Sequence, residues 1–151
     1  MCGREKVIYS LGTGARGLQE FISLLRRSGI ETAVDVRSFP GSRRFPHFGR
    51  EELRRSLRDA GIGYVWLGDR LGGFREGGYA EHMRTPEFRE GLEALRELAE
   101  AGPTAFFCAE RDPARCHRRF IAGRLQELGW RVVHLEEEGG SAPTGQAPLF
   151  P

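Results

Sequence analysis

The chain has 151 residues, 39% of them apolar and 29% charged, which is one domain's worth and enough to bury a core without cross-links or a metal. No apolar run approaches the ~20 residues of a membrane span, and Met1-Cys2-Gly3-Arg4-Glu5-Lys6 leads straight into a short apolar stretch, so no secretory leader is expected. A cytoplasmic protein with no membrane partner is expected.

The elements read as alternating strands and helices. Val7-Ile8-Tyr9-Ser10-Leu11 is a first strand, and Leu18, Phe21, Ile22 and Leu25 follow at helical spacing, closed by Gly29. Ala33-Val34-Asp35-Val36 is a second strand, followed by a loop from Ser38 to Gly49 rich in Pro, Gly, Arg and Phe. Leu53 and Leu57 mark a helix over 51–60, and Gly63-Tyr64-Val65-Trp66-Leu67 is a third strand. Residues 68–78 read as irregular. Thr85 then caps a helix with Pro86 in its first turn, running to Gly102. Thr104-Ala105-Phe106-Phe107-Cys108 is a fourth strand. Asp112-Pro113 repeats the cap-plus-proline signal before a helix with Phe120, Ile121, Leu125 and Leu128. Residues 130–135 are a fifth strand, and from Gly139 small and polar residues predict a flexible tail.

Strict alternation predicts a single-domain three-layer α/β/α fold over 1–138, built on a mainly parallel sheet of about five strands, with a tail over 139–151. In such folds a ligand sits at the carboxyl edge of the sheet, where strand order reverses. Residues at four strand ends can therefore converge there: Ser10 and Gly12; Asp35, Arg37 and Ser38; Asp69 and Arg70; Cys108 and Glu110.

The cations are lopsided. Lys6 is the only lysine among 23 basic residues, against 21 acids. Arginine suits bidentate contact with phosphate, although coding bias and surface ion pairing give the same composition. Some arginines lie on helix faces near acids, such as Arg54 and Arg96. Others, including Arg37, Arg43, Arg44, Arg115 and Arg118, fall at strand ends and in loops. Three cysteines, Cys2, Cys108 and Cys116, without a leader argue for a reducing compartment rather than a disulfide scaffold.

Three segments carry candidate chemistry. Gly12-Thr13-Gly14-Ala15-Arg16-Gly17 fits G-x-G-x-x-G between a strand and a helix. The chain is short for two nucleotide-binding halves, however, and Asp35 lies inside its strand, so one phosphate on this loop is favoured over a dinucleotide and no cofactor is expected. Asp35 and Arg37 share one face of the second strand, as a structural ion pair or as half an active site. The loop after them interleaves Arg43 and Arg44 with aromatics and His47, a pattern suited to phosphate contact and base stacking. The third segment, Cys108 to Arg119, gathers Glu110, Cys108, Cys116, His117 and several arginines at one strand-to-helix turn. Glu110 as general acid/base or nucleophile, Cys108 as thiolate, and zinc on Cys108, Cys116 and His117 all compete there. The zinc spacing is unconventional, and no metal is expected.

Asp35-Val36-Arg37-Ser38-Phe39-Pro40, Ser42-Arg43-Arg44, Leu71-Gly72-Gly73, Tyr79, Cys108-Ala109-Glu110 and Cys116-His117-Arg118 together resemble the domain of unknown function 488 family, from about Val7 to Leu135. The resemblance implies a compact α/β domain with its polar motif residues at one sheet edge. The family's first loop is G-x-S-like where this chain has Gly12-Thr13-Gly14.

The leading expectation is an enzyme acting on a nucleotide or nucleic acid. Glu110 is its catalytic carboxylate, with Asp35 as second acid, His117 as proton shuttle and Cys108 nearby. Arg37, Ser38, Arg43, Arg44, Arg115, Arg118, Gly12 and Tyr79 would hold the phosphate-bearing substrate. Two carboxylates at one sugar would serve N-glycosidic or other hydrolytic cleavage. The alternatives are a rhodanese- or phosphatase-like thiol enzyme using Cys108, and a nucleic-acid-binding module without catalysis. Oligomeric state is left open.

Overall fold

The computed structural model describes residues 6–14, 17–38, 48–73, 77–109 and 117–135. Its elements in chain order are β1 (Val7–Gly12), α1 (Leu18–Arg27), β2 (Thr32–Asp35), α2 (Arg50–Asp59), β3 (Gly63–Trp66), α3 (Gly68–Leu71), α4 (Tyr79–His82), α5 (Pro86–Ala101), β4 (Thr104–Cys108), α6 (Arg118–Glu127) and β5 (Arg131–His134). The five strands form one all-parallel sheet in the order β3-β2-β4-β1-β5. The expected three-layer α/β/α arrangement is the one present.

Two apolar cores sandwich the sheet. Phe21, Leu24 and Leu25 of α1 and Leu53 and Leu57 of α2 pack with Leu11, Ala33 and Phe107 on one face. Phe88, Leu95 and Ala99 of α5 and Ile121 and Leu125 of α6 pack with Ile8, Val34 and Phe106 on the other. This split follows from strand order. The chain steps from β1 to β2 to β3 in one direction and from β4 to β5 in the other, and right-handed crossovers put helices of opposite sense on opposite faces. The switch point thus lies between the adjacent carboxyl ends of β1 and β4.

Helix ends follow local chemistry. The Thr85 hydroxyl accepts the Phe88 amide at 3.2 Å, with Pro86 opening α5. Gly29, Gly61 and Gly129 take φ of 71°, 82° and 95° just beyond α1, α2 and α6, the left-handed turn that glycine adopts without strain.

Two expectations are corrected. The stretch 68–78 read as irregular opens with the helical turn α3, and a second turn the sequence did not mark, α4, directly follows it; packing stabilises both. The Tyr79 hydroxyl donates to the Leu71 carbonyl at 2.8 Å, and buried His82 donates from Nε2 to the Arg70 carbonyl at 2.6 Å. Helix α6 has its N-cap at His117 and begins at Arg118. The expected Asp112 cap falls outside the described residues, as do residues 136–151. Among the described residues no helix is long and apolar enough to cross a membrane.

Candidate functional site at the carboxyl edge of the sheet

Two polar clusters form near the carboxyl edge, one on each face. On the α1/α2 face the second strand delivers Asp35 and Arg37 to the same side. Arg37 donates from Nε to Asp35 Oδ1 and from Nη2 to Oδ2, each at 2.8 Å, and its backbone amide reaches Oδ1 at 3.0 Å. The third guanidinium nitrogen, Nη1, donates to the Phe48 carbonyl at 2.8 Å. The Tyr64 hydroxyl donates to Asp35 Oδ2, and Trp66 Nε1 donates to the Arg37 carbonyl at 2.9 Å. Burial and the Asp35 carboxylate hold the Tyr64 phenol well above its ordinary value, so it remains a donor. Asp35 is fully buried and Arg37 only 7% exposed. Of the two roles open for this pair, the geometry realises the bidentate ion pair, satisfied from every side and out of a substrate's reach.

On the α5/α6 face, Arg118 at the start of α6 turns inward beneath the switch point. It is 1% exposed. Its Nε donates to Cys108 Sγ at 3.1 Å and its Nη1 to Ser10 Oγ at 2.6 Å. His134 Nδ1 lies 3.1 Å from the same hydroxyl, because Ser10 and His134 are partners in the β1–β5 register. Burial, then the Arg118 charge, pushes the His134 imidazole down to about 4. The ring is therefore neutral at pH 7, and the Ser10 hydroxyl accepts from Arg118 and shares a hydrogen bond with Nδ1. Cys108 is itself buried and disulfide-bonded, to a cysteine outside the described residues. This differs from the expected all-thiol chemistry and takes the Cys108 sulfur out of nucleophilic form in this structure.

His117 sits where three loops meet. It caps α6, and its Nε2 donates to the Val36 carbonyl at 2.9 Å, just past β2. A carbonyl only accepts, so Nε2 carries the hydrogen and Nδ1 the lone pair of the neutral ring. Gly73, beyond α3, passes so close that a Cβ there would lie 2.6 Å from Nδ1. Gly72 is equally constrained, since its Cβ would lie 2.1 Å from Ser38 Oγ. The Leu71-Gly72-Gly73 motif is thus a steric requirement, letting the segment after β3 lie flat on the segment after β2.

The remaining candidates divide. Gly12 lies inside β1 opposite Cys108, and the next two amides, of Thr13 and Gly14, donate to the Cys108 and Ala109 carbonyls at 2.8 Å each. Thr13 and Gly14 therefore continue the β1–β4 ladder, and their amides are committed to it instead of to a phosphate. Tyr79 stacks on Phe120 at 5.4 Å within the core. Asp69 and Arg70 lie at the surface, with Arg70 facing Glu90 at 3.4 Å. Glu110, Arg43, Arg44, Arg115 and Cys116 fall outside the described residues.

Sequence reasoning missed Tyr64 and His134. Nothing in their own strands marks them. Only the β2–β3 and β1–β5 registers bring them to Asp35 and Ser10.

No curated protein and no solved structure matches the chain significantly. The family described as Domain of unknown function DUF488 matches residues 17–125, a span that holds β2, β3, β4 and every motif just placed at the carboxyl edge apart from the first loop, and the chain belongs to that family.

Proposed function

We propose that the protein is an enzyme acting on a phosphate-bearing nucleotide or nucleic-acid substrate at the carboxyl edge of the sheet, by N-glycosidic or other hydrolytic cleavage. The observation that carries this reading is the placement of His117. An imidazole with a defined tautomer is held where the segments after β2, β3 and β4 meet, beside the switch point at which α/β sheets bind ligands. Glu110, two residues beyond the end of β4, is the catalytic carboxylate. His117 moves a proton through Nδ1, and Arg43, Arg44 and Arg115 hold the phosphate. Asp35 and Arg37 act on the site as its support, by fixing the start of the segment that carries Ser38.

The test presents single- and double-stranded oligonucleotides and nucleoside 5′-monophosphates to the protein and reads released base and phosphate. Product from the wild type, reduced by ~10²–10⁴-fold in Glu110→Gln with unchanged melting, supports the reading. Product undiminished in Glu110→Gln overturns the carboxylate role. Salt-dependent oligonucleotide binding with no product under any condition replaces it with a binding module.

A further inference from the structure

The two carbonyls that follow β2 are held by two different rings. His117 Nε2 donates to the Val36 carbonyl, and Trp66 Nε1 donates to the Arg37 carbonyl at 2.9 Å. Trp66 ends β3 beside Asp35, so its half-buried indole stands at the carboxyl edge of the sheet. A side chain on Gly68 would collide with Nε1. Strand register, a hydrogen bond and the backbone beyond β3 therefore all fix the indole. Over its face lies the Arg50 guanidinium, 4.5 Å from the ring centroid. Arg50 is the first residue of α2, and a helix that returns from a parallel strand starts at the carboxyl edge. Arg50 differs from its helical neighbours. Arg54 pairs with Glu51 at 2.9 Å, and Arg55 faces Glu52 at 3.7 Å. The positions one turn beyond Arg50 are Leu53 and Arg54, so α2 presents no acid to it. Among the described residues Arg50 forms no ion pair.

From this arrangement we infer that Arg50 is a phosphate-binding residue of the carboxyl-edge site, holding one phosphodiester of a single nucleic-acid strand, with Trp66 as its positioning residue. The inference rests on the nucleic-acid reading above and narrows it. A guanidinium lying flat on an aromatic ring keeps its N–H donors at its rim, open to a planar, bidentate contact with phosphate oxygens. The ring also holds the side chain in place, so less freedom is lost when an anion binds. The donors are those of the side chain, set by the indole beneath them. His117 and the Arg50–Trp66 stack are anchored on consecutive residues of one segment. A ligand that meets both passes over that segment, with its reacting group near one and an anion at the other. A strand has a phosphate at every nucleotide and can do this, and aromatic and arginine planes beside a basic groove suit single strands.

The experiment titrates a fluorescein-labelled single-stranded oligonucleotide with the full chain, by anisotropy at graded salt concentrations. Arg50→Met is expected to weaken binding about tenfold at low salt and to lower the salt slope by about 0.7, the share of one phosphate contact on a single strand. Arg50→Lys should keep the slope and recover part of the affinity, because it has the charge without the fork. Trp66→Leu should reproduce the Arg50→Met loss, and the double variant should bind no more weakly than either single one. Trp66→Phe, which keeps a ring face, should lie between. Arg54→Met removes an arginine already paired on the same helix and should bind within twofold of wild type. A stack that served stability alone would shift melting in these variants and leave the salt slope unchanged. Wild-type binding with an unchanged slope in Arg50→Met overturns the inference and leaves the hydrolytic reading standing. Additive losses from Arg50→Met and Trp66→Leu overturn the positioning role. Unlabelled thymidine 5′-monophosphate that competes as well as the strand, with the same dependence on Arg50, overturns the strand as ligand. No binding by the wild type overturns this inference and the nucleic-acid reading together.

Discussion

Arg37→Met is the substitution that most sharply separates a supporting arginine from a substrate-binding one. Methionine keeps an unbranched apolar stem and removes the guanidinium. Asp35 then loses the donors at Nε and Nη2 and keeps only the Arg37 amide and the Tyr64 hydroxyl, while the Phe48 carbonyl loses Nη1. Asp35 is fully buried, so water cannot replace what is lost. Removing one partner of a buried, hydrogen-bonded pair costs about 3–5 kcal/mol. At roughly 2–4 °C per kcal/mol for a chain of this size, melting should fall by about 6–20 °C. Removing both charges in Asp35→Asn/Arg37→Met should recover at least ~2 kcal/mol of that loss, because no uncompensated carboxylate remains. Urea unfolding at pH 7, followed by circular dichroism and compared at constant slope, measures both. A loss below ~1 kcal/mol in Arg37→Met would refute the reasoning and return Arg37 to the solvated arginines.

Three further outcomes are expected. Gly68→Ala should destabilise severely or prevent folding, since its Cβ would lie 1.8 Å from the Arg37 carbonyl oxygen; Gly123→Ala, inside α6 with nothing within 4 Å, should stabilise by ~0.5–1 kcal/mol, and parallel thermal melts compare the two. His134 titrates at about 4 in the folded chain against an ordinary 6.5, so the unfolded state binds more protons between those values. Stability should therefore be full above pH 6.5 and fall as pH drops toward 4, by roughly 3 kcal/mol at most, and His134→Gln should flatten the profile of melting temperature against pH over that window. Thr85→Ala removes the cap of α5 and should cost ~1 kcal/mol in urea unfolding.

The solvated arginines were legible in the sequence because their partners are one helical turn away. Arg54 meets Glu51 at 2.9 Å, and Arg96 meets Glu93 at 2.7 Å and Glu100 at 3.0 Å. Local periodicity likewise determined the strands, the long helices and the layer architecture. Apolar spacing decides which face an element must bury, and glycine and threonine mark where helices stop and start. Even the shared face of Asp35 and Arg37 follows from alternation along one strand.

What alternation could not decide is what that face meets. Strand order put β4 between β2 and β1, and only this order brings Arg118 to Ser10 and Cys108, which lie 108 and 10 positions before it in sequence. Register placed Tyr64 on Asp35 and His134 on Ser10. The turns α3 and α4 hold each other, the α4 side chains Tyr79 and His82 donating to the Leu71 and Arg70 carbonyls of α3, contacts invisible to a local pattern. Local rules act over a few residues, whereas a buried polar group must find a partner wherever the fold provides one. The sequence by itself therefore determined which residues carry charge to the carboxyl edge. The tertiary structure alone decided that Asp35 and Arg37 satisfy each other in the core while His117 stands where the loops converge.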